Sequence, residues 1–83
     1  MAGYHFAEIR RGKLGELSKV REELEEAMDG EAQGNPVMVL QELSDLIGAV
    51  DGYLKERHPS ITVYDLITMA QATERAFLSG DRT

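Results

Sequence analysis

Three segments of this chain carry an apolar stripe at helical spacing, and the breaks between them are too short to hold another element. From Leu14 to Met28 the apolar positions are Leu14, Leu17, Val20, Leu24, Ala27 and Met28, which share one face of a helix over residues 14–29. Asp29 to Asn35 is polar and glycine-punctuated. Asn35-Pro36 then supplies an N-cap followed by proline at the first helical position, where a missing N–H is no loss. The second stripe is Val39, Leu40, Leu43, Leu46, Ile47, Val50 and Leu54. It predicts a helix over 36–57 that ends at His58-Pro59, because proline disfavours helix in the residue before it. Thr62 and Asp65 have the spacing of a capping box. They open a third helix over 62–79 through Val63, Leu66, Ile67, Ala70, Thr73 and Phe77, closing at Gly80. Residues 1–13 place Tyr4, Phe6 and Ile9 among Gly3 and Gly12 and read as an arm or a short helix. No segment alternates as a strand does, so the expected class is all-α: a single domain over 1–83, its three helices forming an oligomeric helical bundle.

Oligomerisation enters because the chain is small. A domain of 83 residues buries only about 60% of its unfolded surface and has a thin core. With no cysteine, disulfides and zinc thiolate sites are excluded, which leaves self-association to a dimer or tetramer, or an oxygen-ligated metal, as the stabiliser. Nine Lys and Arg against fifteen Asp and Glu give a net charge of −6, which argues against a nucleic-acid backbone or an anionic membrane as partner and for cations. The start lacks the apolar core of a signal peptide, and no apolar run approaches a membrane span. The expected location is cytoplasmic.

The acids are not spread evenly. Helix one contains Glu22-Glu23-Leu24-Glu25-Glu26 and helix two Glu42-Leu43-Ser44-Asp45. Aligning the two puts Glu23 on Glu42, Leu24 on Leu43 and Glu26 on Asp45, so in each helix an acid precedes the core-facing Leu and another follows three residues later. Antiparallel packing, favoured by the short loop, then brings both pairs to one rim, while Glu22 and Glu25 are expected on the other flank. Four like charges on one rim repel, and hard divalent cations such as Mg2+ or Mn2+ offset this through carboxylate oxygens. A different reading of the same acids is a non-enzymatic helical regulator or decoy for a basic partner. A decoy needs net charge; a metal site needs Glu23, Glu26, Glu42 and Asp45 in phase.

The spacing E-x-x-E, fifteen residues, E-x-x-D, together with ELSDLIGAVDGYL, resembles the signature of the MazG-like all-α nucleotide pyrophosphohydrolases. The tail TERAFLSGDR is similar to the ending of short, phage-type members. The resemblance implies Mg2+-dependent hydrolysis of a nucleoside triphosphate to monophosphate and pyrophosphate. Its implied metal ligands and catalytic residues are Glu23, Glu26, Glu42 and Asp45. Phosphoribosyl-ATP pyrophosphohydrolases carry a similar acidic pattern. With three helices where many relatives have four or more, part of the bundle or pocket is expected from another subunit. Phosphoryl transfer of this kind needs positioning and charge neutralisation more than a protein nucleophile. Phosphate-binding candidates are Arg75 and Arg82 in the tail and Arg10, Arg11 and Lys13 near the start. Gly48 and Gly52 fall on the flank of Asp45, where small residues leave room for a nucleotide or a partner helix. His5 and His58 are isolated in sequence, and His58 beside Pro59 reads as a helix-end residue.

Overall fold

A computed structural model of the chain describes residues 5–80, and these are helical or irregular, with no strand among them. Helix α1 spans Leu17–Ala32, α2 Pro36–Arg57 and α3 Val63–Ser79. The second helix occupies the span read from the sequence, and its ends show why. The Asn35 side chain accepts a hydrogen bond from the Met38 N–H at 3.1 Å, and Pro36 occupies the first turn. Thr62 and Asp65 cap α3 reciprocally, and Gly80 ends it with φ 84.

Helix α1 departs from the expected 14–29 at both ends. Leu14-Gly15 forms a turn with Gly15 at φ 96, so the helix starts only at Leu17. Gly30 does not break it. A Cβ there would lie 3.1 Å from the Met38 side chain and 3.3 Å from the Val39 nitrogen, so glycine lets the start of α2 close on α1. The helix ends instead in a Schellman motif: Gly34 takes φ 68, its N–H reaches the Glu31 carbonyl, and the Asn35 N–H reaches that of Gly30.

Within the span expected as an arm or short helix, the described residues form neither helix nor strand and bend at Phe6 and Ala7, and the first four residues of that span lie outside the described ones. The segment runs back along α1. Phe6 and Ala7 donate to the Asp29 carboxylate at 2.9 and 3.0 Å, Gly12 to Glu22 at 2.8 Å, and Lys13 to the Ser18 hydroxyl at 3.1 Å. Helix side chains thus satisfy backbone donors that a strand would pair in a ladder.

Helices α1 and α2 pack as a hairpin, while α3 touches α2 lightly and does not pack on α1 among the described residues. The radius of gyration is 14.6 Å, above the roughly 12 Å of a compact chain this long. Consequently the apolar stripes are only half used. Ala27, Ala49 and Leu54 are the buried apolar residues among those described, whereas Leu24 is 47% and Ile47 54% exposed, and Leu17, Met28, Leu40 and Leu43 are exposed with them. Apart from Gly15 and Gly30, acids take the remaining buried places among the described residues: Glu22, Glu23, Asp29 and Glu42. No described helix is long and apolar enough to cross a membrane.

Candidate metal centre

The hairpin and the arm enclose a cleft of about 530 Å³, within the roughly 300–1,000 Å³ of ligand pockets. Helix α1 contributes Lys19, Glu22, Glu23 and Glu26, α2 contributes Glu42 and Asp45, and the arm closes one side with His5 to Ile9 and Arg11. All four carboxylates paired by phase in the sequence line this space. Carboxylate oxygens of Glu23, Glu42 and Asp45 lie within 4.8 Å of one another, and the same holds for Glu22, Glu23 and Glu26 and for a ring nitrogen of His5 with Glu26 and Glu42.

Glu22 therefore does not lie on the opposite flank. Residues 22 and 26 are one helical turn apart and so nearly eclipsed, which places Glu22 beside Glu26; only Glu25 stays outside these groups. Glu22 has its own partners, the Gly12 N–H and the Lys19 ammonium at 3.2 Å. Burial pushes its carboxyl up, but these two donors and the nearby Arg11 charge outweigh burial and hold it below its ordinary value.

Glu23 and Glu26 go the other way. Burial raises Glu23, Lys19 at 3.3 Å lowers it, and the Glu26 charge raises it again, for a net upward shift. Burial raises Glu26 too, and Glu42 pushes in the same direction. Lys19 is lowered by burial but held above its ordinary value overall by Glu22 and Glu23. It is the ammonium counter-charge of the cluster, and it is not sufficient: Glu23 Oε2 and Glu42 Oε2 are both buried with no hydrogen-bond partner. Glu42 is only 2% exposed. A buried carboxylate oxygen without a donor is strongly unfavourable, and an oxygen-seeking cation between Glu23 and Glu42 removes the penalty. The residues present thus fit Mg2+ or Mn2+. Asp45 is exposed at the mouth, where Gln41 donates to it at 3.1 Å.

Of the other expected substrate contacts, the described Gly48, Lys13 and Arg75 are not among the residues that line the cleft. Gly48 is exposed with open space where a Cβ would stand, Lys13 and Arg75 are exposed away from the lining, and Arg82 lies outside the described residues. Gly52 sits under the Leu14-Gly15 turn, where a Cβ would come within 2.7 Å of Leu14. The cations that do line the cleft are Arg11, among those read from the sequence, and Lys19, which was not. Lys19 was legible in principle, since Lys19-x-x-Glu22-Glu23 is an i,i+3 and i,i+4 pattern. His5 and Asp29 carry no such signal: they meet through a contact 24 residues apart. No family model, curated protein or solved structure matches the chain.

Proposed function

We propose that this chain is a Mg2+-dependent nucleotide pyrophosphohydrolase that converts a ribo- or deoxyribonucleoside triphosphate to the monophosphate and pyrophosphate, acting as a homo-oligomer. The observation that carries the reading is the convergence of Glu23, Glu26, Glu42 and Asp45 on one cleft with buried, unpartnered oxygens on Glu23 and Glu42. The similarity of the acidic spacing to MazG-like enzymes supports it.

Glu23, Glu26, Glu42 and Asp45 are the residues to hold the ion. When bound, Mg2+ supplies charge neutralisation for the phosphates and acidifies a coordinated water. The chain's own groups supply the rest. Lys19 and Arg11 present fixed positive charge on the cleft wall for phosphate oxygens. One of the cleft carboxylates would accept the proton of the water that attacks the α-phosphorus as pyrophosphate departs. The arm shields one side of the cleft from bulk water.

The exposed apolar positions Leu24, Met28, Leu40, Leu43 and Ile47, and an α3 with almost no footing on its own hairpin, favour a second copy as their cover. An oligomer also supplies the pocket walls that three helices leave open.

The test is a panel of nucleoside triphosphates with Mg2+, scored for pyrophosphate release. Release from at least one member, abolished by chelator, is expected. No release from any member, with no effect of Mg2+ on melting, would leave the acidic-module reading in its place.

A further inference from the structure

We propose that His5 is itself a metal ligand of this centre, aimed by Asp29, so that the site offers one nitrogen among its oxygens and favours Mn2+ over Mg2+. This rests on the carboxylate centre proposed above. The His5 side chain is 6% exposed, and its two ring nitrogens face different groups: Nδ1 lies 2.9 Å from Asp29 Oδ2, and Nε2 lies 4.0 Å from Glu26 Oε2. A ring nitrogen of His5 and oxygens of Glu26 and Glu42 gather within 4.8 Å. Ligand atoms about 2.1 Å from one octahedral ion stand about 3–4 Å apart, so the His5–Glu26 separation already matches a shared ion.

Asp29 does not belong to that ligand set. Its carboxylate accepts the Phe6 and Ala7 N–H groups and the Gln33 amide in addition to facing His5 Nδ1. A carboxylate held 2.9 Å from one ring nitrogen fixes the tautomer and presents the lone pair of the other, the arrangement by which proteins orient a ligating histidine. The independent sign that a cation belongs there is Glu42, 2% exposed with Oε2 buried and unpartnered. Imidazole nitrogen discriminates against Mg2+, which keeps to oxygen, and in favour of transition ions. Ligation from the arm also fastens that arm across the cleft.

The test uses the full chain carrying 15N-histidine and Mn2+ as the probe. Pulsed electron paramagnetic resonance should show hyperfine coupling from a directly bound 15N in the wild type and in His58→Ala, whose replaced residue is exposed at the end of α2. In folded His5→Ala that coupling should vanish, and Mn2+ affinity should fall by at least about tenfold while Mg2+ affinity falls less. Bound Mn2+ without nitrogen coupling in the wild type, or unchanged or tighter Mn2+ binding in His5→Ala, would overturn the assignment and make His5 a counter-ion of Asp29 and Glu26. Those outcomes leave the carboxylate centre standing if Glu42→Gln still abolishes binding. A wild type that binds no Mn2+ would overturn both.

Discussion

Glu23 of α1 and Glu42 of α2 meet across the hairpin with carboxylate oxygens within 4.8 Å, and the Oε2 of each is buried without a donor. In the metal-free chain this contact opposes the packing it sits in. Glu42→Gln should raise the metal-free melting temperature, a relief of about 1 kcal/mol moving it by roughly 4–8 °C in a domain of this size. Glu23→Gln should do so less, because Lys19 already offsets part of its charge. Both should lose the Mg2+-induced rise, which for the wild type at a hundredfold excess over Kd corresponds to about 2.7 kcal/mol. Calorimetry with and without Mg2+ reads both effects. A drop in metal-free stability for Glu42→Gln would count against repulsion at this contact.

The pH dependence follows from carboxyls shifted in opposite directions. Glu23 and Glu26 lie above their ordinary 4.5 in the folded chain. Their contribution is full below that value and is lost as pH rises through the folded values. Glu22 and Asp29 lie below their ordinary 4.5 and 3.8, so their contribution is full above those values and is lost as pH falls through the lower, folded ones. Metal-free stability should therefore peak at mildly acid pH and decline on both sides. Saturating Mg2+ should flatten the limb toward neutrality, since the ion favours the charged carboxylates. Melting curves with chelator and with Mg2+ between about pH 2 and 8 check this. A metal-free midpoint that rises steadily from mildly acid to neutral pH would contradict the shifts at Glu23 and Glu26.

Sequence periodicity carries the helices well and their ends unevenly. The Asn35-Pro36 start and the Thr62/Asp65 box are local chemistry, complete within four residues, so they can be read directly. Gly30 was misleading because its purpose is tertiary: it admits Met38 and Val39, which no local pattern announces. The site divides in the same way. The pairs Glu23/Glu26 and Glu42/Asp45 are legible from their common phase and the short loop, although Leu24 and Leu43, expected to face the core, are exposed and Glu23 and Glu42 are buried in their stead. The arm is not legible, since Asp29 captures Phe6, Ala7 and His5 from more than twenty residues away.

Exposed leucines on the hairpin give the oligomer its test. Leu24 and Ile47 are about half exposed and are not among the residues that line the cleft. Leu24→Glu and Ile47→Glu should shift sedimentation toward the monomer and lower the melting temperature, while the wild type should sediment as a dimer or larger with a concentration-dependent midpoint. A wild type that is a folded monomer, with a midpoint independent of concentration, would exclude a second copy as the cover of these faces.

The four neighbouring glutamates of α1 provide the finest discrimination, because they are chemically equivalent and differ only in what they touch. Glu25 is half-buried and joins none of the ligand groups, so Glu25→Gln should leave metal binding, turnover and stability near those of the wild type. Glu23→Gln and Glu26→Gln should abolish turnover and weaken Mg2+ binding, since each removes a ligand charge. Glu22→Gln should behave as neither. Its carboxylate holds the Gly12 N–H at 2.8 Å and Lys19 at 3.2 Å, so the amide should loosen the arm and leave Lys19 bound to Glu23 alone. Loss of a charge-assisted bond of this kind costs about 1.5–3 kcal/mol, which should appear as lower stability and faster tryptic cleavage after the exposed Arg10 and Arg11. Mg2+ affinity should fall less than in Glu23→Gln. Equal effects from all four substitutions would indicate a diffuse acidic surface. Loss of Mg2+ binding in Glu22→Gln as complete as in Glu23→Gln would make Glu22 a ligand in its own right and move the centre toward the start of α1.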